Sequence, residues 1–145
     1  QVKAKKTFAV SFTSPAAAST VVSATCAGLS RFDWFQIDAN LVGGTGGTLD
    51  IYLQKKIASD VWADWVHFAQ ISAAGTLKVS ATVQSSNGFT TVGIGTDASP
   101  GVALAAGSVV GGHPGDTVRV VCVAGVGTSV GGASVIYITG FEDKT

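Results

Sequence analysis

The side chains of this sequence that could carry chemistry are few: two histidines, two cysteines, a handful of carboxylates and a cluster of aromatics. His67 stands in the run Trp62-Ala-Asp-Trp-Val-His-Phe68, and His113 precedes Pro114 and Gly115. A hydrolytic triad is marked by a Gly-x-Ser-x-Gly elbow on a strand-to-helix turn, and no such elbow is read beside either histidine. Neither histidine is therefore read as catalytic. Zinc requires paired ligands at short spacing, whereas Cys26 and Cys122 lie far apart and no histidine has a close partner. Asp33, Asp38 and Asn40 are oxygen donors of the kind calcium takes, but strict alternation puts Asp33 on the face opposite the other two. The glycine clusters fail as phosphate cradles. Gly44 and Gly46 are followed by Leu49, and Gly125 and Gly127 by Val130, where a third small residue is required. Gly93, Gly95 and Ala98 fit the looser form but run straight into Pro100 and Gly101, so no helix N-terminus follows. No cofactor is expected, and no enzymatic role.

The aromatics point elsewhere. Trp62 and Phe68 share one strand parity while Trp65 takes the other, so each sheet face receives an aromatic anchor for the core or for a partner. A sugar-stacking platform, with a host-surface glycan as partner, is the sharper alternative and needs two exposed aromatics on one face.

The elements that must position these residues are strands. In residues 76–84, Leu77, Val79, Ala81 and Val83 alternate with Lys78, Ser80, Thr82 and Gln84, which is a strand with one face in a core. Leu49, Ile51 and Leu53 alternate with Asp50, Tyr52 and Gln54; Phe35, Ile37, Ala39 and Leu41 alternate with Gln36, Asp38 and Asn40. Phe32 and Trp34 fall on the polar parity, which a β-bulge near Trp34 or a partly exposed aromatic would equally explain. Residues 118–124 and 134–139 are apolar on both faces and rich in β-branched side chains, as suits strands central to a sheet and covered on both sides. Turns are expected at Gly43–Gly47, Ala58–Asp60, Ser86–Gly88, His113–Asp116 and Gly131–Gly132. About eight short strands with glycine-rich connections imply an all-β, single-domain, jelly-roll-like antiparallel β-sandwich. Its expected bounds are a basic arm over residues 1–6, the sandwich over 7–141 and a short tail over 142–145.

Composition narrows the role. Of 145 residues 46% are hydrophobic and only 12% charged, against about 25% charged in an ordinary soluble domain. So few charges favour burying part of the surface in an assembly. Nine basic and nine acidic residues cancel, which disfavours nucleic-acid binding and removes the self-repulsion that keeps monomers apart. There is no secretory h-region, no Asn-x-Ser/Thr acceptor and no apolar run of about 18 residues. The expectation is a soluble chain made in a reducing cytoplasm, with no membrane partner and with its cysteines as buried small hydrophobes.

The stretch Gly47-Thr-Leu-Asp-Ile-Tyr-Leu-Gln54, followed after a polar turn by Trp62-Ala-Asp-Trp-Val-His-Phe-Ala-Gln-Ile71, resembles small virion proteins of tailed bacteriophages. In these a T-L-D-V-x-L-Q strand precedes a W-x-D-x-x-x-F strand. The resemblance covers roughly residues 32–71 and extends to β-sandwich head decoration (cement) proteins, a family without catalytic residues. It implies a dimer or trimer on the outside of an icosahedral shell, with the major capsid protein as partner. Edge-strand pairing and apolar contact would carry attachment. Lys3, Lys5, Lys6, Lys55 and Lys56 would steer it, with Trp62 and Trp65 as contact anchors. The rival readings are a tail, collar or head-fibre component, a carbohydrate-binding module, and a glycan hydrolase.

Overall fold

The structure, a computed structural model, describes residues 2–13, 20–42, 47–72, 76–83, 94–95, 108–109, 113–125 and 133–143. Eight long strands build it: β1 (Val2–Thr13), β2 (Thr20–Ala27), β3 (Trp34–Val42), β4 (Thr48–Ala58), β5 (Val61–His67), β7 (Thr76–Val83), β10 (Thr117–Ala124) and β11 (Ala133–Asp143). Three two-residue strands, β6 (Ile71–Ser72), β8 (Ile94–Gly95) and β9 (Ser108–Val109), and one 3-10 turn, Leu29–Arg31, complete the described elements. They form two antiparallel sheets in the orders β1-β11-β3-β7 and β2-β10-β4-β5-β8, with β6 on β4 and β9 on β5. Counting only the long strands, the first sheet reads first, eighth, third, sixth and the second reads second, seventh, fourth, fifth. That interleaving is the double Greek key of a jelly roll. The all-β sandwich expected from the alternation is the fold observed.

Period-two patterning explains the core. Phe35, Ile37, Ala39 and Leu41 of β3 and Leu49, Ile51 and Leu53 of β4 are buried between the sheets with Trp65, Val118, Val120, Ile136 and Ile138. Each such large side chain contributes about 1.5–3 kcal/mol by leaving water. As their sequence implies, β10 and β11 are central strands, each flanked on both sides. Only β10 is covered on both faces. On β11, Ile136 and Ile138 are buried while Tyr137 between them is 43% exposed.

Three expectations are corrected. The basic segment is not an arm: β1 begins at Val2 and pairs with β11 from Val2↔Asp143 onward, with an irregularity at Lys3. A central β11 leaves ladder groups on its second side, and β1 satisfies them along its whole length. The tail expected after residue 141 likewise continues β11 as far as Asp143. Finally, of the two alternatives at Trp34 the bulge is absent, since β3 pairs in unbroken register with both β11 and β7, and Trp34 is the partly exposed aromatic. Phe32 reaches the core from the 3-10 turn instead, before the strand starts, and the bulges fall between β4 and β5 and between β10 and β2.

That turn is clamped to the loop before β10. Gly28, at φ 101°, turns the chain, and the Gly28 and Leu29 amides both donate to the Asp116 carbonyl at 3.1 Å. The Asp116 carboxylate accepts from Ser30 Oγ at 2.8 Å, and these bonds hold its carboxyl below the usual carboxylate range. His113 closes the clamp, accepting from the Gly115 amide on Nδ1 at 2.9 Å and donating from Nε2 to the Phe32 carbonyl at 2.6 Å. The expected turns at Ala58–Asp60 and His113–Asp116 are thus present. Those at Ser86–Gly88 and Gly131–Gly132, and Gly43–Gly46 of the first, lie outside the described residues.

The Phe32 ring packs flat against Gly140 of β11. A methyl there would stand 2.5 Å from Phe32 Cγ and 2.9 Å from its Cβ, too close for the ring to yield without moving its backbone. Gly140→Ala is therefore expected to cost about 1–3 kcal/mol as an overpacked core, read as a lowered urea midpoint at unchanged m-value. An unchanged midpoint would refute this account of the glycine.

Candidate functional site

The expected contact residues do not converge. Lys5 and Lys6 are exposed on β1 in the first sheet, and Lys55 and Lys56 lie on β4 in the second. Lys6 places its ammonium 4.9 Å from the Phe8 ring centre, and Lys56 stands 5.6 Å from that of Trp62. Neither of the two expected tryptophans presents an exposed ring to a partner or a sugar. Trp65 is fully buried in the inter-sheet core, and Trp62 is 2% exposed. Strand parity does place them on opposite faces of β5, but both faces of this sheet are buried here, so outward parity does not mean solvent.

Beside Trp62 the outer face of the second sheet carries a row that sequence reading left unassembled. Arg119 of β10 is opposite Gln54 of β4, and Gln54 is opposite Asp64 of β5. The Arg119 guanidinium donates twice to Gln54 Oε1, at 2.9 and 2.8 Å, and Gln54 Nε2 donates to Asp64 Oδ1 at 2.8 Å. It also lies 4.3 Å from the Trp62 ring centre. All three polar residues are buried. Further along, His67 Nε2 is 3.1 Å from Asp50 Oδ1, and Gln70 Nε2 donates to Asp50 Oδ2 at 2.9 Å. Tyr52 packs on the His67 ring, and burial first, then the nearby carboxylates, pushes its phenol up to about 12. Arg119, Gln54, Asp64, His67, Asp50 and Gln70 are thus bonded to neighbours across the strands, which makes this face a cross-strand clasp. Among the described residues no three His, Cys, Asp or Glu side chains converge as a metal site would need. One motif was missed: Gly127-Thr-Ser-Val-Gly131 matches Gly-x-Ser-x-Gly. It lies outside the described residues, and the next described element is strand β11, where a nucleophile elbow needs a helix.

Among the described residues, an open groove lies on the flank where the two sheets meet. β1 is the edge of the first sheet and β2 the edge of the second. Between them runs a groove of about 310 Å³ lined by Phe8, Ala9, Val10, Ser11, Thr25, Cys26 and Ala27. Phe8 and Cys26 pack on the core but are only partly buried, so the core is incompletely closed along this side. The cysteines are free. Cys26 pairs with Val118, and Cys122 is four positions farther along β10, or about 13 Å at strand rise. A disulfide needs Cα atoms within about 7 Å. Burial raises both thiols, Cys122 to about 12, which suppresses thiolate reactivity.

No family model and no curated protein matches the chain. Among solved structures it is similar to a protein of Bacillus endospore appendages, described as a novel family of disulfide-linked pili. The two are 12% identical, the match covers 97% of this chain and 88% of that one, and the TM-score is 0.44. A likeness that loose carries no functional conclusion.

Proposed function

We propose that the protein is a structural assembly component, whose role is to pair with copies of itself and seat on a larger shell without making or breaking bonds. The observation that carries this is the β1–β2 flank: a 12-residue edge strand beside an apolar groove. Among the described residues no strand pairs with the outer side of β1. A long edge is a template for pairing with another chain unless charges blunt it; the lysines of β1 are confined to residues 3–6 and residues 7–13 carry none, and a partner there would also cover Phe8 and Cys26. The low charge content and the virion-protein resemblance of residues 32–71 support the finer reading. In that reading the chain is a decoration (cement) protein on the outer surface of a bacteriophage capsid, bound to the major capsid protein. Many modest contacts repeated over a shell give firm attachment through avidity.

Purified particles test the finer reading. Antibody labelling and copy-number mass spectrometry are expected to place the chain on the outer shell, at a fixed ratio to the major capsid protein. Its absence from the particle, or its confinement to tail or collar, would overturn the decoration role.

A further inference from the structure

The geometry points to one mode of self-pairing: two β1 strands joined antiparallel about a two-fold axis through Ala9, making the four-stranded sheets of two copies continuous. The inference rests on the reading that copies of this chain assemble, and it names the surface and the register.

Parity comes first. On β1, Val10 and Phe12 are buried with Phe8 partly so, while Thr7, Ala9, Ser11 and Thr13 are exposed on the other face. Directly opposed residues in a ladder put their side chains on the same face, and a one-residue slip sends the apolar set to solvent. Only an axis through a residue, not between two, keeps the apolar face of both copies on the core side. β1 pairs in unbroken register from Ala4 to Thr13, so Phe8 and Ala9 are its two middle residues, and the axis is set on Ala9, the smaller of the two. With the axis there, Phe8 stands opposite Val10 of the partner subunit and Thr7 opposite Ser11 of the partner subunit. The partner's Phe8 and Val10 then extend over the groove and close it beside Cys26.

Charge fixes the direction. A parallel pair would set Lys5 against Lys5 and Lys6 against Lys6 of the copies, and directly opposed like charges destabilise a sheet. In the antiparallel pair the two Lys6 side chains stand six positions apart, roughly 20 Å, well beyond the Debye length of about 8 Å. A nine-residue pairing supplies about eight to ten backbone hydrogen bonds, close to the roughly ten of a standard interface. Ala9 has the smallest side chain on the exposed face, so it suits the axis, where each residue meets its own copy.

Cross-linking tests the register. In a Cys26→Ser background, Ala9→Cys places two thiols on residues whose Cα atoms are about 4.5–5.5 Å apart, within disulfide reach. Mild oxidation is expected to link most of the chains. Thr7→Cys and Ser11→Cys alone should stay unlinked, and their equimolar mixture should give the mixed dimer. Ala9→Lys, with circular dichroism unchanged, is expected to weaken association at least tenfold. If Thr7→Cys or Ser11→Cys links alone, or if the unaltered chain is dimeric in sedimentation while Ala9→Cys stays unlinked, this mode is overturned and self-assembly stands. A chain that remains monomeric at tens of micromolar overturns both.

Discussion

Arg119→Ala is expected to lower folding stability by about 3–5 kcal/mol, the cost of stranding the partners of a buried charge. That is a large share of the roughly 5–15 kcal/mol a domain has in all. The loss has identifiable parts. Gln54 Oε1 accepts two bonds from Arg119, and without them it is a buried acceptor with a desolvation cost of about 1–3 kcal/mol. Asp64, 1% exposed and bonded to Gln54, loses the nearby positive charge of Arg119. Trp62 loses the guanidinium that lies 4.3 Å from its ring centre. The matched comparison is Arg119→Met combined with Gln54→Leu and Asp64→Leu. Removing the three together takes the row's donors and acceptors away with each other, so this triple variant is expected to lie closer to the parent than Arg119→Ala does. Urea midpoints decide between them. A mild Arg119→Ala together with a collapsed triple variant would show that the row stabilises by its net attraction, contrary to this account.

How much of this was legible in the sequence follows the distance over which each feature is determined. The alternation at 76–84 and at Leu49-Ile51-Leu53 is local, and it located β7 and β4 directly. The β-branched run of β10 reads as a central strand because burial on both faces leaves its mark on every residue. The first strand was misread for a local reason too. Lysines ahead of Phe8 look like a solvated arm, and only the unfilled second side of β11, more than 120 residues away by the Thr7–Thr139 contact of separation 132, calls them into a ladder. Parity separates Trp62 from Trp65 but does not say that both faces of β5 are covered, and Phe68, on the parity of Trp62, joins Trp65 in the core because it lies beyond the end of the strand. The Arg119–Gln54–Asp64 row was invisible for a different reason. It joins residues separated by 65 and 10 positions, and a cross-strand register over such spans follows from the folded topology, not from any spacing in the chain. The groove is legible only once β1 and β2 are known to be edges.

Trp65→Ala is expected to be as damaging as the arginine substitution, at about 3–5 kcal/mol for an aromatic-to-alanine change in a core, while Trp65→Phe is expected to cost far less. The indole is fully buried and meets Phe35 edge-on, with ring centres 5.7 Å apart. Phe35 in turn touches Phe32 and His113, so truncation at Trp65 loosens an aromatic chain that reaches the clamp between the 3-10 turn and the loop before β10. Trp65 Nε1 is also buried, and among the described residues it meets no hydrogen-bond acceptor. A stranded donor costs about 1–3 kcal/mol, and phenylalanine removes it while keeping most of the apolar volume. The relief offsets part of the cavity, so Trp65→Phe is expected within about 1.5 kcal/mol of the parent, the range of well-tolerated core swaps. Denaturant midpoints followed by fluorescence measure both. The pair also separates core from contact roles. A side chain that anchored a partner or a sugar would leave the fold intact when cut back, and only binding would fall. If Trp65→Ala unfolds at the parent's midpoint and loses binding alone, Trp65 is a contact residue after all. If the midpoint drops, any accompanying loss of binding follows from unfolding, and contact has to be sought on the open flank instead.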